Sequence, residues 1–177
     1  MTDLVTVDAY GVLTEPATLK IQRLLPGPIE RVWAYLTESD LRRQWLAAGQ
    51  MAMKVGAPIE FVWRNDELTD PPGQRPAGFS EEHRMHSHII ELDPPHRLVI
   101  AWGTAGSVCF ELEPEGNEVL LSVIHRRVPD RATLLNVSAG WHAHLDILLD
   151  RITGKEPTSF WDSWSRLHAE YEQRLPA

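Results

Sequence analysis

One stretch limits the folds open to this chain more than any other. Leu134, Val137, Trp141, Leu145, Leu148 and Ile152 recur at steps of three and four residues, between an N-cap candidate at Asp130 and a stop at Gly154. Such a stripe makes one long helix with one apolar side, and that side has to be covered. The residues before it provide the cover. The alternation Leu98, Ile100, Trp102, then Val108, Phe110, Leu112, then Val119, Leu121, Val123, His125 has a period of two, so each segment reads as a strand with one buried face. Pro94 and Pro95, the Gly103 to Gly106 stretch and the Glu115, Gly116, Asn117 triplet punctuate the strands as turns of an antiparallel meander.

Upstream, Leu19, Ile21, Arg23 and Leu25 alternate over 18–25 and predict a strand ended by Pro26, Gly27 and Pro28. Pro28 suits the first position of a helix over 28–37 with Ile29, Val32, Trp33 and Leu36 on one side. Ser39 is placed to cap a second short helix carrying Leu41 and Trp45. After Gly49 the period returns to two, predicting strands at 51–55, 59–64 and 83–92 in addition to those at 97–103, 107–113 and 118–128. The 83–92 segment, aligned on Leu92, places Ile90, His88 and His86 on its apolar side and His83 on the other. Between 65 and 79 lies a Pro/Gly-rich connection of about 15 residues, a length typical of lids and binding loops. A final helix over 159–174 carries Phe160, Trp164, Leu167 and Tyr171 on one side. Residues 1–16 read as an N-terminal arm, and 17–175 as a single domain.

The resulting architecture is α+β: a curved antiparallel sheet of six to seven strands wrapped on one long C-terminal helix, with two short helices after the first strand. A curved sheet cannot close fully on a helix, and the remaining space is a natural site for a ligand. The net charge of −8, without a basic block, argues against nucleic acid. No apolar run is long enough to span a bilayer, and a lone cysteine, Cys109, with no N-terminal signal pattern points to a reducing cytoplasm.

The run 31–40 (RVWAYLTESD) leading to Trp45, the run 140–146 (GWHAHLD), and Phe160 with Trp161 resemble the START-related helix-grip superfamily over residues 16–175. Within it the chain is most similar to bacterial proteins grouped with the activator of the 90 kDa heat-shock chaperone ATPase. Its members include ligand carriers, polyketide cyclases and stress proteins. The resemblance implies a cavity under the C-terminal helix and no obligatory metal or cofactor. The chain lacks the separate N-terminal domain of the eukaryotic co-chaperone, which speaks against a chaperone partner.

The seven tryptophans divide by element. Trp33 and Trp45 seat the short helices, and Trp161 and Trp164 anchor the terminal helix or form a homodimer contact. Trp63, Trp102 and Trp141 come from two strands and the main helix and can meet around one cavity. The predicted cavity set is Trp63, His86, His88, Trp102, Phe110, His125, Trp141, His144 and Leu148. His86 and His88 would stand about 7 Å apart on one strand face. With His125 they would be the only candidate metal ligands, but no dense Cys/His/carboxylate set accompanies them, so no metal site is assigned. His142 and His144 project about 200° apart on a helix and cannot share an ion; hydrogen bonding within packing is the expected role, and the functional alternative is that His144 donates or accepts a hydrogen bond inside the cavity. Cys109 has no base beside it, and no residue is assigned a catalytic role. The chain is therefore expected to bind a small apolar, aromatic or lipid-like ligand. A stress-response interaction protein is the second reading. A cyclase or hydrolase using His86, His88, His125 or His144 as acid or base is the third.

Overall fold

The computed structural model describes residues 7–176. It is an α+β structure built on one seven-stranded antiparallel sheet in the order β1-β2-β7-β6-β5-β4-β3. The strands are β1 Val12–Glu15, β2 Thr18–Pro26, β3 Pro58–Trp63, β4 His83–Asp93, β5 Arg97–Trp102, β6 Gly106–Glu115 and β7 Glu118–Arg126. Helices α1 (Ile29–Thr37) and α2 (Ser39–Arg42) follow β2, and α3 (Arg131–Thr153) and α4 (Phe160–Arg174) end the chain. Pairing of β2 with β7 brings the start of the fold beside the last strand, and the sheet curls so that α3 lies across its inner face.

The stripe of α3 is buried as expected except at half-buried Val137, with Leu145 and Leu148 fully enclosed. Each contributes about 2 kcal/mol by leaving water. Asp130 accepts a hydrogen bond from the Thr133 N–H at 2.7 Å, and Gly154 ends the helix in the left-handed conformation. The middle of α3 is buried on every side, because α4 covers the flank that the sheet leaves open; Trp141, His142, Ala143 and His144 are all enclosed. Arg23 interrupts the inner face of β2 and is almost fully buried. Asp146 on α3 receives it through hydrogen bonds from its Nε at 3.2 Å and its Nη2 at 2.9 Å.

The structure departs from the sequence reading at several points. Residues 51–55 form no strand: Met53 and Val55 are exposed, and only Ala48 makes an isolated bridge, to Val62. Ser39 does not cap α2. Its hydroxyl instead accepts the Gly49 N–H at 2.9 Å. Pro28 precedes the first helical residue instead of occupying it. Residues 1–6 of the expected arm lie outside the described residues, while 12–15 form the edge strand β1. Just before β1, the Gly11 N–H donates to the Tyr171 hydroxyl at 2.7 Å.

The largest correction concerns β4. Its register with β5 pairs Ile89 with Ile100 but Glu91 with Val99, so a β-bulge adds one residue at Ile90. A single extra residue reverses the facing of everything before it. Leu92 packs on the core as expected, but upstream of the bulge Met85, Ser87 and Ile89 turn inward, while His86, His88 and Ile90 face out.

Candidate functional site

A cavity of about 420 Å³ opens where α3, α4, the ends of β3 to β5 and the 65–82 connection meet. Trp63 ends β3 and Trp102 ends β5, and their rings meet edge-on at 5.5 Å. Trp102 lies 5.3 Å from Trp141 of α3, so the three indoles form a continuous wall. The Trp141 indole N–H donates to Nδ1 of His125 at 3.1 Å, which fixes that ring behind the wall. One turn along α3, His144 lines the floor, its Nδ1 2.7 Å from the Trp45 carbonyl and its ring 4.7 Å from Phe160.

The opposite wall is built by α4 and the long connection. Trp161 and Trp164 line the cavity, and Phe79 lies over both at 5.4 and 5.1 Å. The connection is strapped to the start of α4. The Trp161 indole N–H donates to Asp66 at 2.7 Å, its backbone N–H donates to the Pro72 carbonyl at 3.0 Å, and the Phe160 N–H donates to the Thr69 hydroxyl at 3.0 Å. Gly73 permits this close approach: with φ of +81°, a Cβ there would lie 2.4 Å from the Ser159 hydroxyl. At the mouth, exposed His83 packs on Trp63 at 5.5 Å, and among the described lining residues Glu81 is the one carboxylate, with no Lys or Arg.

Of the residues predicted from sequence, Trp63, Trp102, Trp141 and His144 are brought together around this cavity. Phe110, His125 and Leu148 are buried behind it in the core. His86 and His88 are on the outer face of the sheet, where the His86 side chain is 83% exposed and lies 3.6 Å from Glu60. They therefore cannot share an ion with His125, and no group of three or more His, Cys, Asp or Glu able to hold a metal occurs among the described residues. Trp161 and Trp164, expected as anchors, are buried and wall the cavity. His83 and Met85, missed by the sequence reading, line it because of the bulge. Phe79 was also missed, although an aromatic residue ending a long polar connection is a usable signal.

Burial is the main influence on the imidazoles. It pushes His125 and His144 down to about 4, so both are neutral near pH 7. His142 is likewise held at about 4 by burial, against the opposing pull of Asp146. Its Nδ1 lies 2.8 Å from the Tyr171 hydroxyl, and its Nε2 lies 3.5 Å from Asp146. The Tyr171 contact ties α3 to α4 away from the cavity, while Asp146 lies one turn along α3 itself.

A curved sheet gripping a long helix, with an aromatic hollow at one end of the grip, defines an α+β helix-grip protein. The family model described as Activator of Hsp90 ATPase homolog 1-like protein matches residues 26–152. The chain belongs to that family. It is similar to the protein encoded by gene BPP1335 of Bordetella parapertussis, with 35% identity and a TM-score of 0.79 over 100% of this chain and 97% of that one. CalU16 from Micromonospora echinospora shares the fold at 20% identity and a TM-score of 0.63, over 88% of this chain and 86% of that one. DynU16, a putative protein in the dynemicin biosynthetic locus, shares it at 15% identity and a TM-score of 0.63, over 81% of this chain and 49% of its own. No curated protein matches. Among the described residues no helix is long and apolar enough to cross a membrane.

Proposed function

We propose that this protein binds a small aromatic or otherwise largely apolar molecule in the hollow between the sheet, α3 and α4. The observation that carries this reading is the lining: five tryptophans (Trp63, Trp102, Trp141, Trp161 and Trp164) with Phe79 and Phe160 around about 420 Å³, and no Lys or Arg among them. That is the size and composition of a small-molecule site, and tryptophan supplies wide contact area at little entropic loss. The occurrence of one fold relative in the dynemicin biosynthetic locus fits a protein that handles such molecules. A cyclase or hydrolase reading is weaker, because His125 and His144, with pKa values near 4, are poor bases at neutral pH. Cys109, buried as a free thiol and pushed up to about 11 by burial, suits a cytoplasmic setting.

The family's link to a heat-shock chaperone ATPase supports a second reading, a stress-response interaction protein. Titration with 2-methoxynaphthalene separates the two. Ligand binding requires saturable quenching of tryptophan fluorescence and a rise in melting temperature, both weakened by Trp102→Ala. No response to this or any other bicyclic aromatic probe, with repeated recovery of one chaperone in a pull-down, would reject the ligand reading in favour of the second.

A further inference from the structure

We infer that His144 sets the specificity of this cavity, and that the ligand carries a hydrogen-bond donor on its aromatic framework, a phenolic hydroxyl or a ring N–H, which the Nε2 atom of His144 accepts. The inference rests on the ligand-binding reading above and adds to it the chemical group that is recognised.

Hydrogen-bond bookkeeping around the ring carries the argument. The Trp45 carbonyl can only accept, so the Nδ1 of His144, 2.7 Å away, must be the protonated nitrogen. In a neutral imidazole this leaves a lone pair on Nε2. Burial keeps the ring neutral near pH 7, with its pKa at about 4. Nε2 has no hydrogen-bond partner among the described residues, although His144 is only 6% exposed and its surroundings are the cavity floor. The other two buried imidazoles differ. His125 accepts the Trp141 indole N–H at Nδ1, so its Nε2 carries the proton and offers no acceptor, and its ring is not part of the cavity lining; His142 pairs with the Tyr171 hydroxyl at Nδ1, with Asp146 3.5 Å from its Nε2 and likewise outside the lining. Their contacts are internal and hold the fold together.

The neighbours of His144 leave this acceptor for a ligand. The indole N–H groups of Trp141 and Trp161 are spent on His125 and Asp66 and cannot turn to it. Packing against Phe160 at 4.7 Å fixes the plane of the ring, so the lone pair has a defined direction. Before a ligand binds, solvent is the donor available to that lone pair. A ligand without a donor must strip the water and leave a buried acceptor unpaired, whereas a ligand with a donor replaces it. Selection by an unpaired buried group is stronger than selection by apolar shape alone.

The test compares 2-naphthol with 2-methoxynaphthalene, which share the ring system and differ in whether the oxygen can donate. Methylation makes the second probe more apolar, so burial alone would favour it. The expectation is about tenfold tighter binding of 2-naphthol by the wild-type protein, and loss of that ratio in His144→Phe. Because the substitution also removes the donor to Trp45 and could unfold the protein, a second measurement uses the unaltered chain. Nitrogen-15 NMR of the free protein should show His144 protonated at Nδ1 and bare at Nε2. The Nε2 resonance should then move upfield with 2-naphthol, a stronger donor than water, and downfield with the methyl ether, which leaves the lone pair without a donor. Equal or reversed affinities, or a proton on Nε2, would overturn the role of His144 while leaving ligand binding intact. Failure of both probes to bind would reject the ligand reading and this inference with it.

Discussion

Three imidazoles buried in their neutral form make this fold sensitive to mild acid. His125, His142 and His144 each have an ordinary pKa of 6.5 that burial lowers to about 4. In the unfolded chain they regain the higher value, so between the two pKa values unfolding takes up protons that the native state refuses. The stabilising contribution of neutral burial is fully present above pH 6.5 and is lost as pH falls toward 4. At pH 5 each residue accounts for about 2 kcal/mol of lost stability, and the three together for about 6 kcal/mol, a large share of the total that a domain of this size holds. Urea unfolding at a series of pH values from 7.5 to 5, followed by far-ultraviolet circular dichroism, measures this directly. The slope near pH 5 should correspond to uptake of about three protons on unfolding. His125→Gln, whose side-chain oxygen can still accept the Trp141 indole N–H, should reduce the uptake to about two. A stability that stays flat from pH 7 to 5, or a slope unchanged by that substitution, would refute the claim that these rings are buried uncharged.

Two further perturbations test how the site is held. Gly49→Ala should destabilise the protein by about 3 kcal/mol, because φ there is +140° and a Cβ would lie 2.1 Å from the Glu60 carbonyl oxygen; a lower urea midpoint with an unchanged denaturant slope is the expected result. Asp66→Ala removes the acceptor of the Trp161 indole and the partner of Arg75. Amide hydrogen exchange over 65–79 should accelerate while global stability falls by only about 1 kcal/mol, and an unchanged exchange pattern would show that the strap does not depend on this carboxylate.

The fold was legible because its main elements satisfy one rule at a time. The stripe of α3 has a single period bounded by Asp130 and Gly154, and β5, β6 and β7 alternate without interruption. What was hidden involved side chains acting at a distance. Arg42 is fully buried and has no carboxylate partner among the described residues. Its guanidinium donates to the carbonyls of Leu36, Ala47 and Gly49 and lies 5.0 Å from the ring centre of Phe61. Burial lowers its pKa to about 10, so it remains charged at neutral pH, yet no spacing rule distinguishes it from exposed Arg43 beside it. Ser39 reads equally well as a helix cap and as the acceptor for Gly49, and tertiary structure selects the second.

The composition of the cavity depends on one such hidden feature. With strict alternation, β4 would present His86 and His88 to the interior, and with His125 on the inner face the hollow would be rich in imidazoles. The extra residue at Ile90 instead sends both outward, leaves Met85 in the lining and places His83 at the mouth against Trp63. A bulge exchanges the two faces of a strand without changing a single side chain, so a local sequence pattern cannot reveal it. The tryptophans withstand this uncertainty because Trp63 and Trp102 end strands that pair regularly, and Trp141 belongs to a helix whose facing is set by its whole stripe. The aromatic wall therefore follows from periodicity, whereas the histidines available to a ligand depend on the pairing of one strand with its neighbour. His144 is the inward imidazole that escapes that dependence, since its direction is fixed by α3 and by the carbonyl of Trp45.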